Sequence, residues 1–148
     1  MTNIDSFRAR WTPRLLSVIR IILAFLFIPH GAQKLFGFMA PPQWSTPPIF
    51  SLVGVAGALE FFGGMLILLG LFTRPVAFIL SGLMAVGYFM IHAPQGFWPL
   101  QNKGELAVIY CWLFLFLSVA GGGAWSLDRL FRRSRTEGGY DSMAGDSV

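Results

Sequence analysis

Cysteine is nearly absent from this chain. The single Cys111 excludes an intramolecular disulfide and any CxxC pair, and its position inside an apolar run marks a buried thiol, since reactive cysteines need an electropositive, accessible setting. Charge is scarce too: 12% of the residues are charged and 55% are hydrophobic. That balance excludes an ordinary soluble domain of 148 residues, and the mean hydropathy of +0.63 points to a bilayer as the solvent. Metal-ligand spacing is missing as well. The two histidines, His30 and His92, form no HxxxH or HExxH motif, so no metal is expected, and no flavin, haem or nicotinamide motif is present.

What the chain has is long apolar runs: Leu15 to Ile28, Ile49 to Phe72 interrupted by Ser51 and Glu60, Val76 to Ile91, and Leu106 to Ala120. A helix needs roughly 20 mostly apolar residues to cross about 30 Å of hydrocarbon. Four runs therefore predict an all-α integral membrane four-helix bundle. A signal peptide competes for the first run, because Arg8, Arg10 and Arg14 precede it. Against that, Pro29, His30, Gln33 and Lys34 crowd the positions where a cleavage site needs small residues.

The net charge of +4 and pI of about 9.8 do not indicate nucleic acid, because the arginines sit in the tails and in one turn. Arg8, Arg10 and Arg14 precede the first run, Arg74 lies between the second and third, and Arg129, Arg132, Arg133 and Arg135 follow the fourth. Lys103 falls on the opposite side, and Lys34 near it. By the positive-inside rule both termini are expected in the cytoplasm, with the basic surplus facing anionic headgroups of the lipid bilayer.

The expected organisation is a cytoplasmic lead over residues 1–14, a membrane domain over 15–133, and a disordered tail over 134–148 that has too little apolar content to fold. The Pro-rich stretch 39–48 and the stretch 93–104 are expected as outer loops. Trp11 and Trp125 at one level, and Trp44 and Trp98 at the other, suit the two membrane interfaces. In the tight "FTRP" turn, Thr73 or Arg74 is placed to cap a helix and Pro75 is tolerated in its first turn. After Gly121–Gly123, Ser126 is expected to cap a short interfacial helix. Ala77, Ser81 and Ala85, and separately Gly54 and Ala58, supply four-spaced small residues for helix packing.

The informative residues are the ionisable ones inside the apolar runs. A charged group near a bilayer centre costs about 2.5 to 3.5 kcal/mol on insertion scales, so such groups are paired or functional. Glu60 lies about 11 residues from the outer end of its run, roughly 16 Å deep. It needs a partner, water or a proton. Arg20, His30 and Lys34 project within an arc of about 80° on the first run. Arg20, low in the membrane, is a candidate structural partner for Glu60 or for Asp128, or it snorkels inward. His30 and Lys34 lie high, where His92 ends the third run and Glu105 opens the fourth. Topology thus places His30, Lys34, His92 and Glu105 at one level with Glu60 beneath, as ligand-binding or proton-relay candidates. Each has a bland alternative: snorkelling for Lys34 and His92, and helix-dipole preference for Glu105.

The same residues carry a family resemblance. "IRIILAFLFIPHGAQKLFG", "GALEFFGGMLILLGLFTRPVA" and "NKGELAVIYCWLFLFLSVAGGGAWSLD" together resemble the DoxX family of small four-span bacterial membrane proteins, over residues 15–130. The matching positions are His30, Gly31, Lys34, Glu60, Gly63, Gly64, Thr73, Arg74, His92, Gly104, Glu105, Ser126 and Asp128. The resemblance implies an inner-membrane protein of a group that includes DoxD, which is associated with thiosulfate:quinone oxidoreductase, and proteins linked to redox or thiol stress.

The leading expectation is a subunit serving a membrane oxidoreductase, whose outer polar cluster binds a quinone or a small sulfur compound while a partner subunit supplies the electrons. One rival is a proton-coupled or small-solute carrier, for which four spans require a homodimer. Another is a non-catalytic assembly protein in which the polar cluster is an ion-pair lock.

Overall fold

The computed structural model describes residues 3–132. Four α-helices account for most of them: α1 (Asn3–Phe36), α2 (Leu52–Leu69), α3 (Thr73–Gly87) and α4 (Glu105–Ala120), with no strand among the described residues. A π-helical turn (Tyr88–His92) and a 3-10 turn (Ala93–Gln95) extend α3. A short helix over 127–132 closes the described chain. The α1, α2 and extended α3 (Thr73–Gln95) segments are long and apolar enough to cross a membrane, and α4, at 16 residues, is the shorter apolar fourth. The expected tail, 134–148, and Arg133 lie outside the described residues.

The chain folds as two helical hairpins. α1 packs along α2 and α3 along α4, with a shorter contact between α2 and α3. Their shared core holds Leu23, Ala24 and Phe27 of α1, Ile67 of α2, Ala77, Leu80 and Met84 of α3, and Tyr110, Phe114 and Leu117 of α4. Phe27 ties the hairpins together: its ring centroid lies 4.8 Å from that of Phe114, edge-on, and 5.0 Å from that of Tyr110, the tilted geometries that aromatic quadrupoles favour.

α1 begins well before the first apolar run. Residues 3–14, read from the sequence as a lead, are its first turns, and the helix runs through Pro13 and Pro29 for 34 residues, about 51 Å at 1.5 Å per residue. Pro13 removes one helical donor, and its own carbonyl accepts from Ala124 N, beyond α4, at 2.9 Å and from the hydroxyl of Ser17, one turn on in α1, at 3.0 Å. The start of α1 is thereby stitched to the segment that follows α4.

The turn between the hairpins is capped in a way the local sequence does not announce. α2 ends at Gly70, whose φ of +68° lets its N–H reach Ile67 O while Leu71 N reaches Leu66 O, a Schellman-type stop. The next helix, α3, starts without a side-chain cap of its own. Neither Thr73 nor Arg74 supplies one. Asp128 does so from across the bundle, each carboxylate oxygen accepting one backbone N–H, from Phe72 and from Thr73, at 2.8 Å. Ser126, by contrast, caps the 127–132 helix as its position suggests, accepting from Arg129 N at 3.3 Å.

α1 and α2 approach closely enough at one crossing to require glycine. A Cβ added at Gly31 would stand 2.4 Å from Phe61 N and 2.7 Å from Gly57 O, and one at Gly57 would stand 2.7 Å from Lys34 Cβ. The Gly54–Ala58 pair anticipated for this role is not at the crossing; Gly54 packs against Pro48 and Ile49 of the preceding loop. Gly31→Ala is therefore expected to force the helices apart and cost about 1 to 3 kcal/mol, read as a shifted midpoint in detergent unfolding. Gly82→Ala, at a helical glycine with no atom within 4 Å of the new Cβ, should be neutral or slightly stabilising.

Candidate functional site

The Gly31–Gly57 crossing decides what Lys34 can touch. Lys34 stands three residues beyond Gly31 in the last turn of α1, and Glu60 three beyond Gly57 on α2. With the two backbones pressed together there, Lys34 Nζ and Glu60 Oε1 meet at 2.5 Å. The pair is asymmetric: the Lys34 side chain keeps 28% of its surface exposed, that of Glu60 only 4%. The second carboxylate oxygen, Glu60 Oε2, is buried with no hydrogen-bond partner. An ionised carboxylate accepts at both oxygens, and a buried acceptor left unmade is costly. Glu60 thus makes one charge-assisted bond, to Lys34, and turns toward the interior a second oxygen that no protein donor reaches.

Phe61, which follows Glu60 on α2, sets its ring edge-on to Phe36 of α1 at 5.3 Å and to Phe62 at 5.3 Å.

The other polar residues expected at this level do not join the pair. His30 is exposed and meets the edge of Tyr110 on α4 at a centroid distance of 6.0 Å. His92 turns toward its own connection: Nδ1 lies 2.9 Å from Asn102 O, and its ring stacks on Tyr88 at 6.3 Å. Glu105 is exposed in the first turn of α4, where a carboxylate is favoured by the helix dipole. The predicted single cluster is therefore divided, with Lys34 and Glu60 on the α1–α2 hairpin and His92 within the α3–α4 connection. Among the described residues, no three His, Cys, Asp or Glu side chains are grouped as metal ligands.

The organiser of the α3–α4 connection is Asn102, which sequence reasoning passed over. It is 1% exposed, donates to Gly96 O at 2.8 Å and to Tyr88 Oη at 3.3 Å, and accepts from Gly104 N at 2.8 Å. The last bond is an Asx turn, and the "NKG" triplet carries the signal that could have revealed it.

Arg20 requires a correction. It forms no ion pair with Glu60, and Asp128 acts on it as a nearby opposite charge without direct contact. It is fully buried, and its guanidinium spreads over backbone carbonyls: Nε to Gly122 O at 2.9 Å, Nη1 to Ile67 O and to Leu68 O, and Nη2 to Trp125 O at 2.7 Å. Two of those carbonyls belong to the last turn of α2, where the helix dipole favours a cation. Asp128 is likewise committed to the first amides of α3. Both residues are structural, but each works through the backbone.

Cys111 is half-buried rather than buried as expected. Ser81 Oγ donates to Cys111 O at 2.9 Å and lies 3.5 Å from Cys111 Sγ, so the thiol is part of the α3–α4 seam.

Comparison with known proteins places this architecture. The family model described as DoxX matches residues 15–93. An uncharacterized protein of Haemophilus influenzae is 41% identical over 135 residues, covering 88% of this chain and 98% of its own length. The inner membrane protein YqjF of Escherichia coli is 34% identical over 78% of this chain and 91% of its own. A second Escherichia coli relative, the inner membrane protein YphA, is 31% identical over 79% and 90% respectively. No solved structure matches.

Proposed function

The chain belongs to the DoxX family of membrane proteins, and from that premise we propose that it is a multi-pass inner-membrane protein with both termini in the cytoplasm, serving a membrane oxidoreductase by binding a quinone head at the Lys34–Glu60 pair. The observation that carries this reading is the vacant, buried Glu60 Oε2 beside a part-exposed ammonium. Lys34 Nζ retains donors for a quinone carbonyl, and Glu60 Oε2 is an acceptor for a quinol hydroxyl. A small sulfur anion would be attracted by Lys34 but would bring no donor to Oε2, whereas the quinone–quinol couple brings one in its reduced form, so the reading favours that couple over the sulfur anion. The four-span topology and the inward termini rest on the apolar runs and on the arginines gathered at the terminal end of the bundle. The electrons would exchange with a redox centre on a partner subunit.

The test is thermal unfolding of the purified protein in nanodiscs with and without a short-chain ubiquinone or menaquinone analogue. A ligand that binds the folded state raises stability by about 2.7 kcal/mol at a hundredfold excess over its Kd, and this shift should vanish in Glu60→Gln and Lys34→Met. Absence of any shift with either quinone or quinol, while the pair is intact, would reject the reading.

A second reading is favoured by the pair itself. Lys34 and Glu60 are already joined, as an ion-pair lock in a non-catalytic assembly protein would be. In that case the same substitutions lower stability equally with and without quinone.

A further inference from the structure

The opposite end of the bundle carries a second place where chemistry gathers. The first turns of α1 are held to the segment after α4 by Ala124 N to Pro13 O at 2.9 Å and by Trp125 N to Ser17 Oγ at 3.0 Å. Between these strips of chain lies a groove of about 690 Å³, lined by Ala9, Pro13, Leu69, Leu127 and Leu130 and by three arginines, Arg10, Arg14 and Arg129. A second groove of about 370 Å³ shares Arg14 and Trp125 with it and continues along Trp11, Leu15 and Val18.

Among the described residues the arginines of this groove have no ion-pair partner. No carboxylate among the described residues pairs with Arg10, Arg14 or Arg129; Asp128, the nearest in sequence to Arg129, is spent on the amides of Phe72 and Thr73. Arg14 instead lies over the Trp11 ring, 5.5 Å from its centroid, a cation–π contact that orients the guanidinium and leaves its donors available. Three cations on an apolar-walled groove select an anion that brings hydrocarbon with it. Guanidinium groups match phosphate oxygens with a planar fork of donors. The apolar continuation past Leu15 and Val18 merges with the exposed flank of α1 that includes Ile22, the surface that acyl chains would cover. Trp11 and Trp125, both largely exposed, mark the level of the headgroups.

We propose that this double groove is a binding site for one anionic phospholipid, its phosphate held by Arg10, Arg14 and Arg129 and an acyl chain lying along Trp11, Leu15 and Val18. The site is more than diffuse attraction of a basic terminus to a charged surface, because the cations share one groove with a place for the chain. The other occupant within reach is the chain's own C-terminal segment. Its sequence is less suited, since it opens with Arg133 and Arg135, and its first acid is Glu137.

The experiment is native mass spectrometry of the full-length protein in detergent, titrated with phosphatidylglycerol or phosphatidylcholine of identical acyl chains, and with inorganic phosphate as the free anion. One phosphatidylglycerol should be retained with at least about a tenfold preference over phosphatidylcholine, and millimolar phosphate should not displace it. Each basic residue near an anionic surface adds to its attraction, so Arg10→Gln/Arg14→Gln/Arg129→Gln should reduce the preference to about one. Arg8→Gln, on the same extension but outside the groove, should leave it unchanged. If the triple variant fails to fold, Arg129→Gln alone, on the exposed 127–132 helix, should still lower the preference severalfold. Equal retention of the two lipids, an unchanged preference in the arginine variants, or displacement by phosphate would overturn the proposal. So would phosphatidylglycerol binding that appears only in Glu137→Gln/Asp141→Asn/Asp146→Asn, which would assign the groove to the tail.

Discussion

Arg20→Met is expected to cost about 3 kcal/mol or more, and to lower the midpoint of detergent-induced unfolding further than any other single exposed or buried charge removal on α1. The reason lies in what the guanidinium holds. Four backbone carbonyls, from Ile67, Leu68, Gly122 and Trp125, converge on it, and they come from the end of α2 and from the segment that follows α4. Hydrogen bonds to charged groups contribute about 1.5 to 3 kcal/mol each, while acceptors stranded by loss of a donor carry their own desolvation penalty. Met fills much of the space and replaces none of the donors. Membrane-embedded hydrogen bonds average closer to 0.6 kcal/mol in double-mutant cycles, and this holds the estimate well below the sum of the four. Arg20→Lys should be intermediate, because an ammonium offers three donors from one point where the guanidinium offers a planar fork. Far-UV circular dichroism across a denaturing-detergent titration checks the series. A loss below about 0.5 kcal/mol for Arg20→Met would remove Arg20 from its role as the joint between α2 and the loop after α4.

Arg20 also shows where sequence reasoning stops. Apolar runs located all four helices, because the demand of lipid for uninterrupted helical backbone is strong. The cost of a mid-run carboxylate likewise identified Glu60 as a residue that needs a partner. Choosing the partner required register. Arg20 and Lys34 share a face of α1 but stand 14 residues apart, about 21 Å along the axis, and helical angles do not say which of them Glu60 meets. The Gly31–Gly57 contact sets that register, and a close approach of two backbones becomes visible only once both helices are placed. Arg20 was misassigned for a related reason: its partners are carbonyls, which every residue possesses and no sequence pattern marks. Asp128 followed the same rule, serving the amides of Phe72 and Thr73 from 55 residues away. The first turns of α1 precede the apolar run that marks the first span, so the sequence pattern alone makes them a lead. Their helix is held instead by contacts to Ala124 and Trp125, partners that the sequence places more than a hundred residues later.

Lys34→Met is expected to be the second most damaging substitution, costing about 3 kcal/mol, the low end of the range for removing one partner of a buried ion pair, because the Glu60 charge is left uncompensated. Glu60 would then have neither oxygen engaged, since Oε2 already lacks a partner. Glu60→Leu should cost much less: Lys34, 28% exposed, can carry its ammonium toward the interface along its aliphatic stem. The decisive member of the cycle is Lys34→Met/Glu60→Leu. Replacing a buried pair by apolar residues of similar volume is often neutral or stabilising, so the double variant should recover at least about 2 kcal/mol relative to Lys34→Met, measured by unfolding of the purified variants in one detergent. That outcome separates two meanings of the pair. If the double variant matches the parent in stability yet loses the quinone-dependent shift, the ion pair contributes nothing the fold could not obtain from hydrocarbon, and its chemistry serves a ligand. If the double variant is as unstable as the single losses added together, the interaction between Lys34 and Glu60 is not what those losses measure, and each residue must be holding other parts of the bundle. If it recovers only part of the way and quinone has no effect on any member of the series, the pair is a lock. The vacant Oε2 makes the first result the expected one, because a lock built for stability alone would leave no buried acceptor unfilled.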